Sequence, residues 1–161
     1  MKTTTYTFSL TKQQQTRLSH LSNGTLIVYN HLLLFGFKQW KKEGKELTFA
    51  LLSKELGEMR IRQSWLNDIP LSLLEEEVKE AYRFLEAYRK KKPNPSLPPR
   101  IKQGKPRLLC ITPICRQLGT MLLVQSLGCF ELKTALCPPL ESVMLQWEGG
   151  STMTLSITEP S

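Results

Sequence analysis

At 161 residues the chain can bury a core of its own, as one domain or two small ones. Its formal charge of +8 is unevenly placed: residues 1–105 carry 19 Lys/Arg against 10 Asp/Glu, and residues 106–161 carry 3 against 4. The asymmetry favours a polyanionic partner for the first part over a merely Lys-rich helical surface, and no run approaches the roughly 18 to 20 apolar residues of a membrane span.

The N-terminus is polar and Thr-rich, with no apolar run behind Lys2, so we expect no signal peptide and a cytoplasmic location. Residues 5–10 alternate Thr with apolar side chains, a period-two pattern that predicts a strand. Thr11 is placed to cap a helix, with Gln14 completing a capping box. That helix carries Leu18 and Leu21 on one face, and Asn23-Gly24 is expected to end it, because both residues tolerate the left-handed conformation. A second helix is expected from Thr25 to Lys42, apolar around much of its girth through Leu26, Val28, Tyr29, Leu32, Leu33, Phe37 and Trp40.

Thr48 caps a predicted third helix, with Leu51, Leu52 and Leu56 inside and Gly57 near its end. Trp65, Leu66 and Ile69 form an apolar plug before Pro70, which fits the first turn of a fourth helix. Glu75, Glu76 and Glu77 near that helix's start and Arg89, Lys90, Lys91 and Lys92 at its end both suit the helix dipole. Its predicted buried face is Leu74, Val78, Ala81, Leu85 and Tyr88.

Residues 93–99 include Pro93, Pro95, Pro98 and Pro99, a stiff extended connector. Beyond it, strands are expected at Leu108–Thr112, Thr120–Val124, Cys129–Leu132, Ser142–Trp147 and Thr152–Ile157, with Glu148-Gly149-Gly150-Ser151 joining the last two as a hairpin. With the strand at the N-terminus they suggest a small barrel. Periodicity alone reads only as helices followed by strands.

From Arg83 to Lys105 there are eight Lys/Arg residues (Arg83, Arg89, Lys90, Lys91, Lys92, Arg100, Lys102, Lys105) and one acid, Glu86. Such a stretch can follow a phosphate backbone without reading bases; a solvated helix end and linker would have the same composition. Trp40 and Trp65 have the apolar neighbours of core anchors, and Trp147, on a predicted strand, suits packing or base stacking. Cys110, Cys115, Cys129 and Cys137 lack any C-x-x-C pair. Buried reduced thiols fit them better than a zinc site or disulfides.

Nothing predicts catalysis. Asp68 is the single aspartate, Glu141, Glu148 and Glu159 are scattered, and no nucleophile–base pair or phosphate-cradling glycine loop is present. His20 and His31 fall on adjoining predicted helices, where surface or packing roles are the expectation. We expect no enzyme activity, no metal and no cofactor.

In order, Tyr6-Thr7-Phe8-Ser9-Leu10, Gly24 leading into Val28-Tyr29-Asn30-His31, Gly44-Lys45-Glu46-Leu47-Thr48, Ser64-Trp65-Leu66 and Pro99-Arg100-Ile101-Lys102 resemble the N-terminal part of the TnpB (OrfB) family of transposon-encoded, RNA-guided nucleases. The resemblance implies an α+β fold: a small antiparallel β-barrel, wedge-like and related to oligonucleotide-binding barrels, built from residues 105–161 with strand 5–10. After the first strand it would be interrupted by a four-helix, helix-turn-helix-type recognition domain over residues 11–104. The family's RuvC-like cleaving domain would begin near residue 161, and its zinc element lies further on, so these cysteines are not equated with it.

On the same basis Arg100 and Lys102 match the family's Pro-Arg-x-Lys motif, and Asn30 its Tyr-Asn pair. Asn30 would donate to a base or phosphate, or cap a polar contact while Tyr29 fills the bundle. Thr48, Phe49, Ser53, Leu71, Ser72 and Glu75 match positions where relatives face a short flanking DNA motif, although Glu75 to Glu77 would repel phosphate. Thr112 completes the expected nucleic-acid contacts. The implied function is noncatalytic binding of guide-like RNA, DNA or both, beside a separate nuclease or effector chain. The rival readings are a protein-interaction module using the broad apolar helix 25–42, and a nuclease subunit active only in trans.

Overall fold

The computed structural model describes residues 2–91, 107–133 and 140–160. Alternation in the first segment gives β1 (Lys2–Ser9), with Thr3, Thr5 and Thr7 exposed and Tyr6 and Phe8 half-buried. The capping box forms as its chemistry dictates. Thr11 N–H donates to Gln14 Oε1 at 2.9 Å, and Gln14 N–H donates to Thr11 Oγ1 at 3.1 Å.

The helix that follows does not stop at Asn23-Gly24. It runs unbroken as α1 (Lys12–Lys41), 30 residues and so about 45 Å long. Gly24 is buried inside it, where a Cβ would collide with the Ile69 side chain and crowd the Trp65 ring. This glycine is there for close approach, not for a turn, and two expected helices become one. Both histidines therefore sit on α1. Gly44, at φ 66, is the residue that turns the chain out of the helix.

Thr48 Oγ1 accepts from Leu51 N–H at 3.1 Å and opens α2 (Phe49–Arg62), which continues past Gly57. A 3-10 turn (Ser64–Asp68) buries Leu66 and, just beyond it, Ile69, while Trp65 keeps 36% of its surface exposed. The Pro70 carbonyl takes the first helical bond, from Leu73 N–H at 3.0 Å, and α3 (Leu71–Lys91) follows. The described residues thus hold three α-helices where four were expected. Val28, Leu32 and Leu33 of α1, Leu52, Leu56 and Met59 of α2, and Leu74, Val78, Ala81 and Leu85 of α3 are buried. Each large aliphatic among them contributes roughly 1.5–3 kcal/mol by leaving water.

The strands are β2 (Arg107–Cys110), β3 (Cys115–Leu118), β4 (Met121–Val124), β5 (Gly128–Glu131), β6 (Ser142–Trp147) and β7 (Thr152–Glu159). The β6–β7 hairpin forms as expected, with Trp147 Nε1 donating to the Gly150 carbonyl across its turn at 2.8 Å. β1 pairs antiparallel with β7, from Lys2 opposite Glu159 to Ser9 opposite Thr152.

Among the described residues the expected barrel is not closed. The strands form two open antiparallel sheets, ordered β1-β7-β6-β2 and β3-β4-β5. The division falls at a 3-10 turn (Thr112–Ile114) containing Pro113, which has no N–H to continue a ladder. It separates β2 from β3, a strand the apolar runs did not reveal because Cys115–Leu118 alternates half-buried with exposed side chains. Met153, Leu155 and Ile157 of β7 and Val143 and Leu145 of β6 point into the core, and Phe8 packs on Phe130 of β5 at 5.1 Å between ring centroids.

The chain divides into two compact units, Met1–Ser22 with Lys105–Ser161, and Asn23–Gly104. Among the described residues no helix is long and apolar enough to cross a membrane.

Candidate nucleic-acid interface

The helical unit gathers cations at one place. Phe37 on α1 meets Tyr88 on α3 edge to face, with centroids 6.4 Å apart, and this contact sets the C-terminal ends of the two helices side by side. Residues 38–45 and 83–91 together hold eight Lys/Arg (Lys38, Lys41, Lys42, Lys45, Arg83, Arg89, Lys90, Lys91) against Glu43 and Glu86. Eight minus two leaves six positive charges, and two helix C-termini subtract only about one more elementary charge in total. The ends remain strongly electropositive.

Aromatic rings run through this region. Phe84 lies nearly parallel to Tyr88, at 6.2 Å and 15°, and keeps 42% of its surface exposed. Trp40 sits edge-on to Phe37 at 6.0 Å, and Lys41 Nζ lies 6.0 Å from the Trp40 ring centroid. Arg83, Lys90 and Lys91 are exposed, whereas Arg89 is tied to Glu86 at 3.0 Å. Lys92, Arg100, Lys102 and Lys105 lie outside the described residues, as do the proline connector and Cys137.

A second group of expected contacts converges elsewhere on the same unit. Phe49, Ser53, Leu71 and Glu75 line a groove of about 280 Å³ between α2 and α3, together with Arg60 and Val78. Phe49 is exposed and meets Tyr82 edge to face at 6.1 Å. Arg60 Nε is buried in this wall without a hydrogen-bond acceptor among the described residues. Ser72 is half-buried in the first turn of α3 and is not part of the lining.

Two expected contacts are occupied by structure. Asn30 is half-buried and already partnered. Thr112 Oγ1 accepts from Val143 N–H at 2.8 Å, which fastens the 3-10 turn to β6.

A polar cluster around buried Glu55 had no signal in the sequence pattern. Glu55, 8% exposed, takes His31 Nε2 at 2.6 Å and Arg62 at 3.0 Å on one carboxylate oxygen, linking α1 to α2. The sequence reading also missed Lys38, Lys41 and Phe84 as neighbours of the basic stretch. The available signal was an aromatic, Phe84, beside Arg83 and one position off the buried Leu85 stripe.

Cys110, Cys115 and Cys129 are free thiols, Cys110 and Cys115 half-buried and Cys129 exposed, so burial explains only the first two. Among the described residues no group of three or more His, Cys, Asp or Glu could hold a metal ion. No family model matches the chain, and no curated protein matches it.

Proposed function

We propose that this chain binds nucleic acid, RNA or DNA, through the adjoining basic ends of α1 and α3, and that its role is to hold the strand rather than to cut it. The observation that supports this is the Phe37–Tyr88 contact, which brings the ends of two cationic helices near each other. A solvated helix terminus explains either segment alone but not their convergence. The resemblance to the N-terminal part of TnpB supports the same reading and adds a separate nuclease or effector chain as partner. Free thiols at Cys110, Cys115 and Cys129 fit a reducing compartment, and the cytoplasm is the setting we assign.

The test is a salt titration of a fluorescent mixed-sequence oligonucleotide. With about four phosphates neutralised, affinity falls roughly 50-fold between about 50 and 200 mM salt. Lack of binding in low-salt buffer defeats the proposal.

A second reading, docking of a protein, is favoured by Ile27 and Leu34, exposed seven residues apart on α1, and by the Phe49 and Leu71 walls of the groove. Apolar association responds little to salt, so the same titration separates the two.

A further inference from the structure

We infer that the basic ends of α1 and α3 recognise an unpaired strand, with a base stacked on Phe84, and discriminate against duplex. The inference rests on the proposed function and names the ligand class of the same surface.

Phe84 is out of place by hydrophobic patterning. On α3 it adjoins fully buried Leu85, yet 42% of its surface faces water near the basic C-terminal end of the helix. Leaving a large aromatic in water forgoes stabilisation, and a Lys or Glu here would complete an ordinary polar face. Its ring is not simply stray, because it lies within 15° of parallel to Tyr88 one turn further along. Tyr88 thus helps fix the orientation of the Phe84 ring, whose exposed part offers a nucleobase an aromatic surface.

The charges sit where a strand crossing that surface needs them. Lys91 lies seven residues beyond Phe84, which returns it to the same helix face about 10 Å away. Across the Phe37–Tyr88 contact, the α1 end adds Lys38 and the Lys41–Trp40 pair. Phosphates on either side of a stacked base can therefore meet cations while the base covers the apolar ring.

Duplex cannot use this arrangement. Its base faces are buried against neighbouring pairs, and only edges and phosphates remain accessible. Phe84 has no donor or acceptor to read an edge, so the aromatic surface is tolerant of sequence. A partner protein could cover Phe84, but the basic last turn of α3 favours a polyanion.

The test uses the full chain and anisotropy of labelled DNA and RNA single strands of about twelve nucleotides. Their duplexes and an abasic strand of equal length, which has the phosphates but no base faces, are run beside them. We expect single strands to bind about tenfold or more tighter than duplex or abasic strand. F84L removes that gap, leaves abasic binding and the salt slope unchanged, and keeps the fold, since the residue is exposed; F84Y restores the gap. A preference for RNA or for DNA among the single strands supports the inference either way and names the natural source. Equal binding of single strand, duplex and abasic strand, or normal single-strand binding by F84L, overturns the inference and leaves the proposed function standing. Binding of none of the probes overturns both.

Discussion

Gly24 and Gly57 are both helical glycines, and their surroundings give them opposite roles. A Cβ at Gly24 runs into Ile69, whereas one at Gly57 meets nothing within 4 Å. G24A should therefore cost about 1–3 kcal/mol by overpacking. G57A should stabilise by up to about 1 kcal/mol, because alanine loses less backbone entropy in a helix. Urea melts of the two variants check this, and a stabilised G24A would contradict the close packing.

Cys115 makes a second residue-scale prediction. Burial, and after it the nearby Cys110, pushes its thiol up from 9.0 to about 12. The folded protein keeps this proton at a pH where an unfolded chain releases it. The associated stability is present in full below about pH 9 and is lost as pH rises toward about 12. At about pH 8.5, iodoacetamide should label exposed Cys129 and leave Cys115 unmodified until the protein unfolds. Equal labelling rates in the native state would refute this.

At the scale of elements, one contact bears on the association of the two sheets. Phe8 of β1 and Phe130 of β5 pack with a 55° tilt, although no strand ladder joins their sheets. A double-mutant cycle with F8L and F130L should give a coupling of about 0.5–1.5 kcal/mol. A coupling near zero would mean that the sheets associate through other side chains. The three helices divide their labour differently. α3 is polarised along its length, with Glu75 to Glu77 at the start and Arg89, Lys90 and Lys91 at the end. Glu75 from the acidic start lines the groove, and the basic end belongs to the proposed strand surface.

For the whole molecule, the proposed binding requires helix ends that are far apart in sequence to act together. Lys38 and Lys90 lie on different helices with no shared partner, so K38Q and K90Q should each weaken oligonucleotide binding about fivefold at about 0.1 M salt. The double variant should weaken it by the product. Loss confined to K90Q would mean that α1 does not take part.

Local chemistry accounts for what could be read ahead of the fold: the Thr11–Gln14 box, the Thr48 cap, the β6–β7 hairpin and the excess of cations. In the first three, the groups that interact lie within a few residues of one another. Gly24 reads locally as a helix stop, and only Ile69, forty-five residues on (69 − 24), reveals it as a packing residue. The same limit hides β3, whose alternation is weak, and the opening of the expected barrel into two sheets. It also hides the approach of the α1 and α3 ends, which depends on Phe37 touching Tyr88. Charge is a property of composition, but its placement comes from side-chain packing between distant segments, and no sequence period encodes that.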